Sequence, residues 1–370
     1  MSIVMHPDAT FVGLDVHKDS ISVGVLRPRQ VGPDVDRIFH DEPSIRRLIG
    51  SFDHRELLRV CYEAGPTGYG LARLLAGMGV ACQVIAPALI PKAPGDKVKT
   101  DRRDCRRLAR LYRAGELTAI RIPSEREEAV RDLCRARVDM VTDRHRARRR
   151  LLSFLLRHGH VYRQGSSWTA THERWLAGLA FTDPALRVTF HHYRAVIASR
   201  DAELRALEHD LAQVACEEPF AEPVRRLAAY RGVAELGALT LATEVCDWRR
   251  FAHAPAFMGF TGLVPSEYSS GSRSRRGKIT RTGPVHLRTQ LVESAWAYRH
   301  RPIVSQRLRA RHDGVGQAAI ARSWKAQLRL CRRFKRLAAR KSNIGLVAAA
   351  VARELAGFLW AEMTADPTTV

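Results

Sequence analysis

Four acidic side chains stand where they can do chemistry together. Asp15 falls near the end of an apolar run over residues 10–16, and Glu63 follows a second such run just before Ala64-Gly65-Pro66. Asp101 and Asp104 are three residues apart, so on a helix they share one face. Each has an ordinary reading by itself. An acid at a strand end serves as a turn or cap residue, and acids in a first helical turn favour the helix dipole. The combination is more specific. Four converging carboxylates repel unless a cation sits among them, and hard divalent cations take such oxygen ligands, Mg²⁺ keeping part of its water shell. Two metals about 4 Å apart can clamp the attacking and leaving oxygens of a phosphodiester. His17 and His286 are acid–base types as well, and each fits a structural role better.

The elements that must position these groups are legible from patterning. Residues 10–16 and 20–26 read as strands around a turn, and 35–40 as a third strand. A helix over 43–52, a strand over 57–62, a helix over 67–78 and a strand over 80–85 follow. This order predicts an α/β domain with a mixed five-stranded sheet, and it is also the order of RNase H-like nucleases. In such a sheet the first and fourth strands are neighbours, so Asp15 and Glu63 project from one edge region. A helix over 101–114 turns Cys105, Leu108, Ala109 and Tyr112 inward. Arg102, Arg103, Arg106, Arg107, Arg110 and Arg113 fill the rest, as a solvated face or a phosphate contact.

Beyond it, Ser124 and Glu127 form a capping box that opens a helix running to about residue 158. A second long helix spans about 184–215, with a Gly/Ser/Trp-rich bend at 165–171 between them. The pair predicts an antiparallel hairpin or coiled-coil arm. Arg144, Arg146, Arg148, Arg149 and Arg150 cluster on its first helix, either solvated or against nucleic acid. From residue 223 a helix, a Gly-bounded hairpin at 232–237 and a second helix follow, a device that can offer backbone N–H groups to a phosphate. A short helix at 254–262, a Ser/Gly/Arg-rich loop at 264–282 and mostly helix to about residue 363 complete the chain. The expected domains are 1–120, 121–222 and a mainly α part at 223–370.

Composition narrows the class. Among 370 residues, 61 Lys and Arg oppose 38 Asp and Glu, a formal charge of +23 that points to a phosphate backbone as partner. With 45% hydrophobic residues the chain can build packed cores. Seven cysteines without a Cys-x-x-Cys pair disfavour a disulfide scaffold or structural zinc and fit a reducing cytoplasm. The first sixteen residues lack the pattern of a signal peptide. The most apolar stretch, 344–363, is interrupted by Arg353 and Glu354 and reads as a core helix, not a membrane span.

Three blocks carry a resemblance: Gly13-Leu14-Asp15-Val16-His17-Lys18, Tyr62-Glu63-Ala64-Gly65-Pro66-Thr67-Gly68, and Lys99-Thr100-Asp101 with Asp104. They resemble the N-terminal blocks of the DEDD transposases, insertion-sequence recombinases of the IS110 family, whose N-terminal domain is RuvC-like. Phe260-Thr261-Gly262-Leu263-Val264-Pro265, Tyr268-Ser269-Ser270-Gly271, Gly277-Lys278-Ile279-Thr280-Arg281-Thr282-Gly283 and His286-Leu287-Arg288 resemble that family's second domain. The similarity covers nearly the whole chain. Cys105 departs from the family's usual Ala, and Pro284 follows Gly283.

The resemblance implies a Mg²⁺-dependent enzyme, with Mn²⁺ as an alternative ion. Asp15, Glu63, Asp101 and Asp104 would be its metal ligands, and Ser270 its nucleophile, with Ser269 adjacent. A serine oxygen can attack a DNA phosphate and hold the strand covalently for rejoining. Read without the resemblance, Ser269 and Ser270 are a flexible Ser-Gly loop. The expected partners are donor and target DNA, a structured guide (bridge) RNA from the element, and further copies of the chain as dimers pairing into tetramers. No membrane is expected, and the site of action is the bacterial nucleoid. Arg103, Arg107, Arg110, Arg146, Arg149, Arg273, Arg275, Arg276, Lys278, Arg281 and Arg288 would contact nucleic acid, Arg forks suiting phosphate oxygens. The competing expectations are a Holliday-junction nuclease using water, and a non-catalytic nucleic-acid-binding protein.

Overall fold

The computed structural model describes residues 6–91, 100–268 and 275–366. Two units follow one another, 1–123 and 124–370.

The first unit begins with β1 (Thr10–Val16), β2 (Ser20–Leu26) and β3 (Asp34–Phe39). Then come α1 (Glu42–Gly50), β4 (Leu58–Glu63), α2 (Gly70–Gly77), β5 (Ala81–Ile85) and α3 (Asp101–Arg113). The sheet order is β3-β2-β1-β4-β5. β1–β2 and β2–β3 pair antiparallel, while β1–β4 and β4–β5 pair parallel. This is the mixed α/β sheet of an RNase H/RuvC-like domain. Alternation divides its side chains between two layers. Val12, Leu14, Val23, Val60 and Tyr62 bury against Ile45 and Ile49 of α1 and Leu71 and Leu75 of α2. Phe11, Leu26, Cys61 and Ile85 bury against Leu108, Ala109 and Tyr112 of α3.

α3 approaches the sheet unusually closely. Gly13 and Gly24 are cross-strand partners on β1 and β2. A Cβ on Gly13 would lie 2.5 Å from both Ala109 N and Cys105 O, and one on Gly24 would lie 2.7 Å from Cys105 O. The helix backbone therefore rests on two residues that have no side chain, with the small, fully buried Cys105 between them.

The second unit opens with α4 (Glu125–Arg157), and Ser124 and Glu127 cap it reciprocally as expected. α5 (Ala170–Ala177) begins at the end of the bend read from sequence over 165–171, and α6 (Pro184–Ala215) returns. Asp183 caps α6, with Pro184 in its first turn. The far half of this hairpin has its own core of Leu151, Phe154, Leu155, Leu176, Phe181, Phe190 and Ile197. Its base, through Val130, Cys134, Leu211 and Ala215, joins the core of the helices that follow.

Those are α7 (Ala221–Ala228), α8 (Glu235–Val245), α9 (Ala254–Phe260), α10 (Val285–Ala295), α11 (Gln306–Ala310), α12 (Gln317–Ala338) and α13 (Ile344–Thr364). The expected loop over 264–282 is in part a hairpin of β6 (Pro265–Glu267) and β7 (Arg276–Ile279). These strands are too short and polar for a periodicity reading. α13 is, among the described residues, the one helix long and apolar enough to cross a membrane. Val347, Val351, Leu355 and Leu359 on it are fully buried in the core. All seven cysteines are free.

Overpacking at a closely packed site costs about 1–3 kcal/mol. Gly13→Ala is expected to lose at least that by thermal or urea unfolding of the full chain. Gly77→Ala, where an added Cβ meets nothing within 4 Å, should gain about 0.5–1 kcal/mol from helix propensity.

Candidate active site

The acidic site follows from how α3 sits. Gly13 pairs with Cys61 and Leu14 with Tyr62, so Asp15 and Glu63 stand one residue past the last paired positions of β1 and β4. By alternation both belong to the layer that α3 covers. The Cys105 carbonyl lies against Gly13. Asp15 is two residues further along the strand, about 6.6 Å. Asp101 is about one turn back along the helix, about 5.4 Å. These matched displacements bring the head of α3 to Asp15.

Asp15, His17 and Asp101 form one group in which a ligand atom from each lies within 4.8 Å of the others. His17 Nε2 is 3.4 Å from Asp15 Oδ2 and 3.5 Å from Asp101 Oδ1. Asp104 is buried, with Oδ1 3.5 Å from an Arg107 guanidinium nitrogen. Its Oδ2 is also buried and has no hydrogen-bond partner among the described residues. Burial raises the Asp15 carboxyl above its ordinary value; the charge and hydrogen bond of His17 oppose this, and the charges of Asp101 and Asp104 add to it. Three of the four predicted acids therefore sense one another. Glu63, half-buried at the end of β4, and Asp104 both lie outside the 4.8 Å group.

Buried acids of the second unit are satisfied by contrast. Glu244 accepts two hydrogen bonds from Arg135, at 2.9 and 3.2 Å. Glu362 accepts from Arg226, Arg322 and the Tyr230 hydroxyl. Burial alone would raise the Glu362 carboxyl, but the hydrogen bonds from Arg322 and Arg226 hold it below its ordinary value. The Asp104 orphan oxygen has no such match. Two carboxylates and an imidazole within 4.8 Å of one another, with the charge of a buried third acid felt at Asp15, fit a hard divalent cation.

His17 is the residue that the sequence reading placed in a structural role. Its spacing of two from Asp15 was the available signal, since strand alternation returns to the same face.

The basic residues divide. Arg144 and Arg148 hold Asp201 of α6 at 3.4 and 3.3 Å, and Arg148 also stacks over Trp168. They tie the hairpin together. Arg146, Arg149, Arg150 and Arg157 line a groove of 440 Å³ with Ser153 and Tyr193. On α3, Arg103 and Arg110 are exposed and Arg107 leans on Asp104. Arg275, Lys278 and Arg281 are exposed around the β6–β7 hairpin. Arg276 lies on β7. Arg288 acts within the fold, where one guanidinium nitrogen donates to Thr261 O at 3.3 Å and Thr282 O at 3.1 Å. Those carbonyls stand at the two feet of the hairpin. There, Gly262 and Gly283 adopt positive φ and lie too close to the opposite turn for any side chain. Ser269, Ser270 and Arg273, together with Lys99, lie outside the described residues. His286 is half-buried on α10.

A β3-β2-β1-β4-β5 sheet with acids at the ends of β1 and β4 and at the head of the covering helix defines the RNase H/RuvC-like class. Comparison with known proteins narrows it. Residues 12–159 match the family model of the IS110-type DEDD transposases, described as a transposase, and residues 224–312 match the model described as the transposase IS116/IS110/IS902 family. The Sinorhizobium fredii protein described as transposase y4qE is 41% identical over 357 residues, 95% of this chain and 87% of its own. The transposase for insertion sequence element IS1533 of Leptospira borgpetersenii is 33% identical over 344 residues, 90% and 98% respectively. The chain belongs to the IS110 family of insertion-sequence transposases, enzymes that cleave and recombine DNA.

The raised Asp15 carboxyl has a stability consequence. Its folded-state pKa lies above the unfolded value, so the folded chain holds the proton longer. Stability therefore falls as pH rises from the ordinary carboxylate range through the raised value, and the penalty is constant above it. With divalent ions chelated, Asp15→Asn is expected to raise the Tm at pH 7, and the gain should vanish below the ordinary carboxylate range. Melting curves across pH check this.

Proposed function

We propose that this transposase cuts and rejoins DNA at a divalent-metal site formed by Asp15, Glu63, Asp101 and Asp104, with Ser270 as the nucleophile. The observation that carries the metal reading is the Asp15–His17–Asp101 group, with the charge of buried Asp104 also felt at Asp15. Mg²⁺ is the proposed ion, with Mn²⁺ as the alternative. When bound it supplies positive charge to the phosphate oxygens and to the attacking and leaving groups. The acids of this chain hold that charge in place. The Ser270 Oγ forms a bond to phosphorus as a deoxyribose oxygen leaves, and the serine proton ends on the released hydroxyl. Attack by a second DNA hydroxyl reverses the step and returns the proton to serine. One phosphodiester is exchanged for another, so rejoining needs no added energy source.

A structured guide RNA is the proposed source of target choice, with base pairing rather than side chains reading sequence. Dimers paired into tetramers in the cytoplasm, on the nucleoid, are the proposed assembly. Arg103, Arg107, Arg110, Arg146, Arg149, Arg273, Arg275, Arg276, Lys278 and Arg281 are the proposed phosphate contacts. The 440 Å³ arginine groove on the α4–α6 hairpin supports that part of the reading. Arg288 is proposed instead to brace the feet of the hairpin through its two carbonyl contacts.

The test is strand cleavage and adduct formation on end-labelled element DNA with the guide RNA supplied. Asp15→Asn and Asp101→Asn should abolish both while leaving DNA binding nearly intact. Ser270→Ala should abolish the denaturant-resistant protein–DNA adduct. Cleavage that persists in Ser270→Ala without an adduct would make water the nucleophile. An adduct retained in that variant would move the role to Ser269. In nucleic-acid titrations across salt, each of Arg149→Ala and Arg150→Ala should reduce the slope of log affinity against log salt by about one.

A further inference from the structure

We propose that His17 is itself a ligand of this metal site, and that its imidazole makes the site prefer Mn²⁺ to Mg²⁺. The proposal rests on the metal reading above and goes beyond its four carboxylates. His17 Nε2 faces Asp15 Oδ2 at 3.4 Å and Asp101 Oδ1 at 3.5 Å. Both separations exceed a normal N–H···O hydrogen bond of about 2.7–3.2 Å. Two donors each about 2.1 Å from one octahedral ion stand about 3.0 Å apart. A closing of these atoms by less than about 1 Å therefore lets the ring nitrogen and both carboxylates share one ion.

The backbone that carries the ring is also held in place. The His17 backbone N–H donates to Ser20 O at 2.9 Å, and the His17 carbonyl is 2.6 Å from His40 Nδ1. These contacts fix the β1–β2 turn that carries the imidazole. Half of the side chain is exposed, so an ion can reach it. A further sign of missing positive charge is Asp104, 8% exposed, whose Oδ2 has no partner among the described residues. Carboxylates suit Mg²⁺ and Mn²⁺ alike, whereas an imidazole nitrogen favours the transition ion.

The experiment uses the full chain and Mn²⁺ alone as probe. Pulsed electron paramagnetic resonance reads nitrogen coupling to bound Mn²⁺, and competition with Mg²⁺ gives both affinities. Nitrogen coupling is expected in the wild type and in His40→Ala, which removes the other nearby imidazole. It should be absent in His17→Ala. That variant should bind Mn²⁺ about tenfold or more weakly, while its Mg²⁺ affinity stays within about twofold. Mn²⁺ that binds the wild type, is lost in Asp15→Asn and shows no nitrogen coupling would overturn the role of His17 and leave the carboxylate site standing. Coupling that persists in a folded His17→Ala chain would overturn it too. Failure of the wild type to bind either ion would overturn both readings. The wild-type and His40→Ala spectra decide the question even if His17→Ala does not fold.

Discussion

The contact on which the catalytic unit depends is backbone on backbone. α3 lies against β1 and β2 where Gly13 and Gly24 face each other across the strands, with the Cys105 carbonyl within reach of both. A side chain at either position would hold the helix off the sheet. Its head, carrying Asp101 and Asp104, would then swing away from Asp15. The apolar layer behind this contact, Phe11, Cys61, Leu108, Ala109 and Tyr112, supplies the burial that keeps the helix down. The same burial holds Asp104 where water cannot satisfy its second oxygen.

That geometry opposes stability. Two like charges near a half-buried Asp15, and an orphaned oxygen on Asp104, are costs that a protein selected only for folding would lose. The second unit shows the alternative within one chain. Glu244 and Glu362 are at least as buried, yet each is met by arginine forks. The same electrostatic problem is thus met by arginine forks in the second unit and left without them among the described residues of the first.

Arginine serves several ends here, and the net charge does not distinguish them. Arg135, Arg226 and Arg322 neutralise buried acids, while Arg144 and Arg148 fasten α4 to α6 through Asp201. Arg288 bridges the two feet of the β6–β7 hairpin. Arg149, Arg150 and Arg157 remain with Arg146 around an open groove. That last kind of placement, like the exposed Arg103, Arg110, Arg275, Lys278 and Arg281, leaves cationic surface for a phosphate backbone.

Local signals settled much of this without coordinates. Alternation gave the five strands, and a reciprocal Ser124–Glu127 cap fixed where α4 begins. The inward face of α3 could be read from Cys105, Leu108, Ala109 and Tyr112, because helical period is a property of neighbouring residues. What sequence could not supply was anything set by distance across the chain. Which arginines meet acids depends on partners up to 136 residues away, as for Arg226 and Glu362. The short β6–β7 hairpin has too few residues to show a period, and α5 is only eight residues long and begins where a bend ends. The place of His17 between Asp15 and Asp101 was decided by how closely α3 could settle on two glycines, since a packing distance is a joint property of surfaces that lie far apart along the chain.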